Sequence, residues 1–393
     1  MTLRRLKLGY FAIEAFNSAA STFFLYYLFF LTRDEFHFTS RGNLFLTALH
    51  GFIYIFGSWQ GGKFAQRFGY FTALKLGFAG MIGALVIGFW VPGVVGQILA
   101  LALWTAPLCL IWPTLEALVT EGEDFKGTAR MVGIYNVVWS GANSVAYCLG
   151  GWVWDRCGRN GLYWIPIGII AAQFILTLWL ERAARRVPKP VKPIEPEHHP
   201  EAAALKQRIP PKRFLQMAWV ANPFSYVAIN TVCAVIPQLA QRFELTPTQT
   251  GVFCSLWFYV RMGAFILLWQ WTAWHYRFRW MVAAFVCLIA GFAALLLAPQ
   301  FWVVIAAQVV FGAATGLIYY SSLFYSMDAG DAKGEHGGFH EAMIGAGTCG
   351  GPLVGAMALT YAPNSSNAGV FAVTGLLLIG FGGLLWVRMR KTF

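Results

Sequence analysis

Arg261 stands in the middle of an apolar run, 249–271, that holds no other charged residue. A guanidinium at the centre of a membrane helix costs roughly 2.5–3.5 kcal/mol on insertion scales, so it needs a partner or a water-filled cavity. Its planar fork suits a carboxylate, phosphate or sulfate on a ligand. The alternative is a structural ion pair with an acid of the other half of the chain. Glu14, in the apolar run 8–32, has Asn17 on the same helical face. A carboxylate in a dry site can take up and release a proton instead of carrying a fixed charge; the alternative is a permanent salt bridge. Glu341 is the second proton candidate, and its neighbour His340 points about 100° away on a helix. His50, followed one turn later by Tyr54, suits a proton relay or a bond to substrate, and equally a satisfied core hydrogen bond. Glu116 reads as a gate or packing residue.

Such side chains need elements that keep them out of lipid, and the composition says which. The chain has 393 residues, 58% hydrophobic and 12% charged, about half the ~25% charged of an average soluble domain. Mean hydropathy is +0.57. Forty-one glycines and seventeen tryptophans agree, because Gly is frequent in membrane helices and Trp at their interfaces. The net charge of +12 comes from bases set between apolar runs, so it reports topology and not a nucleic-acid partner. No Walker loop, His-Glu-x-x-His or Cys/His zinc spacing occurs. No catalytic site, metal or cofactor is expected, and the seven cysteines read as small core residues.

A helical span needs roughly 20 apolar residues. Twelve candidates follow: 8–32, 42–62, 72–92, 95–119, 131–154, 161–181, 214–240, 249–271, 279–298, 301–326, 338–361 and 367–388. The first run is too long for a cleavable signal and is expected to be a span. The segment Arg182–Arg213 carries seven prolines, the adjacent His198 and His199, and many charges. It reads as a linker, with the histidines a solvated pair. The predicted organisation is all-α and membrane-integral: six helices in 1–181, a linker at 182–213, and six helices in 214–393. With the N-terminus cytoplasmic, 23 of 29 Lys and Arg fall on the inner side, which predicts both termini inside. The halves echo each other: Phe36, Thr39 and Leu49 recur 207 residues on, and Gly133, with Gly150, recurs at a spacing of 205. Internal repeats of this kind mark many transporters.

Polar groups on spans face protein or water. They form helical stripes on spans 1, 2, 4, 5, 7, 8, 10 and 11, while spans 3, 6, 9 and 12 are nearly bare apart from Gln173 and Thr177. Every third helix therefore reads as peripheral and the other eight as lining a cavity. The substrate candidates on those stripes are Arg261, Asn17, His50, Tyr54, Asn136, Asn143, Asn222, Asn230, Trp257 and Tyr319. The proton candidates are Glu14, Glu341 and His340.

Six plus six helices, a central linker and peripheral helices 3, 6, 9 and 12 resemble the major facilitator superfamily over the whole chain. The loop after span 2 keeps Gly62, Arg67 and Gly69 of that family's cytoplasmic motif, with Gln66 where the family has Asp and Tyr70 and Phe71 where it has a basic pair. Asp155 and Gly158 look like the tail that follows helix 5 in the family. Gly347, Gly351, Pro352 and Gly355 look like its Gly-Pro packing motif. The resemblance implies a monomeric secondary transporter of the cytoplasmic membrane, with Arg67, Glu116, Gly351 and Pro352 in gating. It moves a small organic solute, with proton coupling expected from the buried carboxylates. The alternatives are a lipid flippase of the same fold and a non-transporting sensor.

Overall fold

The computed structural model describes residues 2–187, 209–329 and 335–390, and every regular element among them is a helix. His198, His199 and most of the 182–213 linker lie outside the described residues. The helices are α1 (Leu3–Phe36), α2 (Ser40–Phe68), α3 (Tyr70–Trp90), α4 (Gly93–Leu108), α5 (Trp112–Thr120), α6 (Phe125–Ala184), α7 (Pro211–Arg242), α8 (Pro247–Cys254), α9 (Leu256–Gln270), α10 (Phe278–Leu297), α11 (Phe301–Ala329), α12 (Glu335–Tyr361) and α13 (Ala368–Met389). Among the described residues ten helical stretches are long and apolar enough to cross a membrane. One of them, Gly127–Ala184, runs for 58 residues. At 1.5 Å per residue that is about 90 Å of helix against a hydrocarbon core of about 30 Å. It is two spans joined at Gly158, whose φ of 50° and ψ of −140° no other residue of α6 shares. α2 is not among the ten, because Asn43, Thr47, His50 and Ser58 dilute its apolar character, yet its 29 residues are long enough to cross. Twelve spans result among the described residues, the number expected from the sequence.

The chain packs as two compact units. Among the described residues the first comprises 2–38, 53–187 and 245–255; the second comprises 39–52, 209–244, 256–329 and 335–390. Against the sequence boundaries at 181 and 214, the opening turns of α2 group with the second unit and α8 groups with the first.

In the first unit α1 is the most enclosed span, buried along most of its length. It lies against both limbs of α6. Gly9 meets Leu180 and Phe24 meets Tyr163, while Glu14 meets Tyr135 and Tyr27 meets Tyr147. The pairings run in opposite senses on the two limbs, so the chain reverses at Gly158. Three residues of the turn sequence hold it. Asp155 accepts hydrogen bonds from the Thr248 amide (2.9 Å) and hydroxyl (2.5 Å), capping the N-terminus of α8. Gly158 takes the left-handed conformation that other residues rarely adopt. Arg159 donates to the Gly88 and Phe89 carbonyls at the C-terminus of α3 (3.4 and 3.1 Å) and pairs with Glu35 (3.2 Å).

In the second unit α7 is the most enclosed span. α12 approaches it so closely that a Cβ at Gly347 would stand 2.1 Å from the Pro223 carbonyl oxygen, and one at Gly351 2.5 Å from that of Val227. These are the glycines of the Gly-Pro motif, and they act as small residues that let two helix backbones meet. Pro352 is buried inside α12. The loop between α9 and α10 tucks Trp274, His275 and Tyr276 into the protein, where Tyr276 hydrogen-bonds Asp328 and His275 stacks on Phe324 at 3.9 Å.

Buried polar side chains follow the predicted stripes. Among the described residues α3, α10 and α13 have none, and the second limb of α6 has Gln173 and Thr177 alone.

Candidate functional site

Each unit carries a polar cluster. In the first, Glu14 is wholly buried. α1 places Ser18 one turn further on, and its hydroxyl donates to Oε1 (2.8 Å). Tyr135 of α6 donates to Oε2 (3.0 Å). The Trp112 side chain is a third hydrogen-bonding neighbour. It can reach because α4 stops at Leu108, one residue after Pro107, and the helix restarts as α5 at Trp112. All these donors are neutral, and among the described residues no Lys or Arg pairs with Glu14. The base of α1 nearest to it in sequence, Lys7, is taken by Glu123 at 2.5 Å. Glu116, one turn beyond Trp112, is close enough for its charge to act on Glu14.

Beside this carboxylate lies Asn17, fully buried with neither amide atom hydrogen-bonded. Asn136 accepts from the Trp139 indole (2.8 Å), and its own nitrogen makes no bond. Asn143 meets Thr22 at 2.8 Å and ties α6 to α1. Tyr54 packs edge-on to Trp112, with ring centroids 6.0 Å apart. His50 is buried in the α2 segment that belongs to the second unit.

In the second unit the buried Arg261 of α9 lies in a cage of rings. Its guanidinium carbon is 5.1 Å from the Tyr319 centroid, 5.5 Å from Phe265 and 5.6 Å from Tyr226. An Nη donates to the Tyr226 hydroxyl at 3.3 Å. Rings at this distance stabilise a desolvated cation through their quadrupoles. Glu341 of α12 acts electrostatically on the same Tyr226. His340 joins the cluster through the Tyr319 ring (5.7 Å) and the Ser322 hydroxyl (3.3 Å). Asn230 donates to the Tyr226 carbonyl (3.1 Å) and the Thr348 hydroxyl (3.0 Å), tying α7 to α12. Asn222 is buried with neither amide atom bonded. Trp257 is buried against Phe258 and Phe311. Arg67 lies elsewhere, exposed over the Phe68 ring.

The two clusters are related by the internal repeat. Asn17 and Asn222 are 205 residues apart, as are Tyr135 and His340. Each unit thus presents, from its most buried helix, an asparagine whose amide is unsatisfied. A buried unpaired amide costs about 1–3 kcal/mol, which a bound polar ligand would recover. Tyr226, Tyr135, Ser18 and Phe265 are contact residues that the candidate set omits. Ser18 and Tyr226 were visible one turn from Glu14 and Asn230, and Phe265 one turn from Arg261.

No protein-family model and no curated protein matches this sequence. Solved structures do match in shape. A bacterial homologue of the human lysosomal transporter Spinster, in an inward-facing and occupied conformation, superposes with a TM-score of 0.70 at 11% identity, over 99% of this chain and 97% of that one. The human organic anion transporter MFSD10 gives 0.69 at 14% identity, over 97% and 99%. A proton dependent oligopeptide transporter gives 0.67 at 16% identity, over 98% and 99%. At these identities the likeness is one of fold.

Proposed function

We infer from the major facilitator fold, which this chain has, that it is a secondary transporter of a small organic solute and not an enzyme. The solute carries an anionic group and moves with protons by alternating access. The observation that carries this reading is the burial of Arg261 and Glu14 in two different kinds of surroundings. Arg261 sits in a cage of rings whose faces stabilise a desolvated cation, and its planar fork matches a carboxylate, phosphate or sulfate. Glu14 sits among neutral donors that serve it whether or not it carries a proton. A carboxylate held that way can change protonation during a cycle without losing its place. Asn17 and Asn222 supply further donors and acceptors for the solute. That the matched folds include an organic anion transporter and a proton dependent one supports the same reading. The cytoplasmic membrane is the proposed location, with both termini and the linker inside.

The test is a thermal-shift screen of purified protein against small carboxylates, phosphates, sulfates and their neutral analogues at two pH values. Uptake of the hits into proteoliposomes with and without an inward proton gradient follows. Stabilisation by anions, with accumulation only under the gradient, is the expected result. Stabilisation by neutral solutes alone would remove the anionic assignment. Equal accumulation without a gradient would remove the coupling.

A further inference from the structure

Helices α2, α3 and α4 leave between them an open groove of about 620 Å³, lined by none of the residues of the two polar clusters. Gly57 and Phe64 of α2, Gly80 and Gly83 of α3, and Leu103 and Pro107 of α4 are among its walls. Its floor is tight. A Cβ at Gly61 would stand 2.2 Å from the Cys109 carbonyl oxygen, and one at Gly80 2.8 Å from the Pro107 ring. Its side is open, since a Cβ at Gly83 meets no heavy atom within 4 Å and Leu103 and Ala106 are exposed. Pro107, which has no N–H, leads into the break that ends α4 at Leu108, so the recess follows from a helix that cannot continue straight.

One end of the groove carries charge. Gln60 and Phe64 line it, and Lys63 and Arg67 continue the same face of α2, a turn apart, toward the helix end at Phe68. Both are exposed; Lys63 lies 5.1 Å from the Trp59 ring and Arg67 5.2 Å from the Phe68 ring. Neither pairs with an acid among the described residues, and Phe64, Ala65 and Gln66 between them are all neutral. Cations beside interfacial rings mark headgroup level.

We propose that this groove is a binding site for an anionic glycerophospholipid of the surrounding bilayer, with an acyl chain in the recess and the phosphate at Lys63 and Arg67. The apolar walls match the chain, and two uncompensated cations at the groove's end match the charge of the headgroup. A zwitterionic lipid would fill the recess and bring the same phosphate, but its own cation would offset that charge beside Lys63 and Arg67.

Native mass spectrometry of the full chain, released from micelles with phosphatidylglycerol or phosphatidylcholine added, tests this. The wild type should retain phosphatidylglycerol in preference. Gly83→Leu puts a side chain into the recess from a position where a Cβ meets nothing within 4 Å, and Ala106→Leu does so from the exposed side of α4 should the first fail to fold. Each should lower phosphatidylglycerol retention about tenfold, roughly what two buried methylenes contribute. The double variant Lys63→Gln, Arg67→Gln should retain the two lipids equally. Anionic preference that survives a filled groove would overturn the proposal, since surface charge alone would then explain it. Groove-sensitive retention without headgroup preference would overturn it as well.

Discussion

At the scale of single residues, Arg261 and Glu14 make separable predictions. Arg261→Lys keeps the charge and loses the fork. Affinity for an anion found in the thermal-shift screen should fall about tenfold to a hundredfold, the worth of one charge-assisted hydrogen bond at ~1.5–3 kcal/mol. Arg261→Ala should abolish that binding while the protein still folds. Were Arg261 instead the structural partner of Glu341, Ala would strand a carboxylate and lower the melting temperature with ligand binding preserved. Melting temperature and affinity, measured on the same Ala variant, separate the two. Glu14→Gln is nearly isosteric, and its amide oxygen can accept from Ser18 or Tyr135. It should leave the melting temperature close to wild type, abolish accumulation driven by a pH gradient, and spare exchange of labelled for unlabelled solute. Normal accumulation in this variant would place the coupling elsewhere.

At the scale of elements, the turn between the two limbs of α6 concentrates three roles in five residues. Asp155 caps α8, Gly158 reverses the chain and Arg159 donates to the carbonyls that end α3. Asp155→Ala removes a side-chain cap and a favourable charge at a helix N-terminus, at a cost of about 0.5–2 kcal/mol. Gly158→Ala introduces a methyl that touches nothing within 4 Å, so its effect isolates the backbone. The φ of 50° with ψ of −140° should cost any residue with a Cβ about 1–3 kcal/mol. Denaturation of both variants in detergent checks the two values. A neutral Gly158→Ala would show that the turn relaxes into another conformation.

At the scale of the whole molecule, orientation is the property with the plainest readout. The proposed topology has both termini and the linker in the cytoplasm, with 23 of 29 Lys and Arg on that side. Cys157, one residue before the reversal, is exposed and lies on the opposite side by that topology. It supplies a native control. In intact cells a membrane-impermeant maleimide should label Cys157 and should miss a cysteine introduced at Glu197 until the inner face is opened. External labelling at Glu197 would invert the topology.

Much of this architecture was legible in the chain alone, because a bilayer makes composition nearly sufficient. A backbone in hydrocarbon must satisfy itself within a helix, and a polar side chain must turn away from lipid. Run lengths therefore marked the spans, and the stripes on Asn17, Asn136, Asn222 and Arg261 marked the helices that carry buried polar groups. Partners were not legible. Tyr135 reaches Glu14 across 121 residues of sequence, and Tyr226 reaches Arg261 across 35. Periodicity within one helix says which way a side chain points, not which ring on another helix it meets. The sequence also could not tell a satisfied amide from an orphan. Asn230 and Asn222 sit on the same helix, yet one is bonded to Thr348 and the other to nothing. The grouping of α8 with the first unit is of the same kind. It rests on Asp155 at the start of α8 and on Gly151, where a Cβ would stand 2.0 Å from the Pro247 carbonyl oxygen. Such contacts exist only once the chain has reversed at Gly158, so tertiary packing alone decided them.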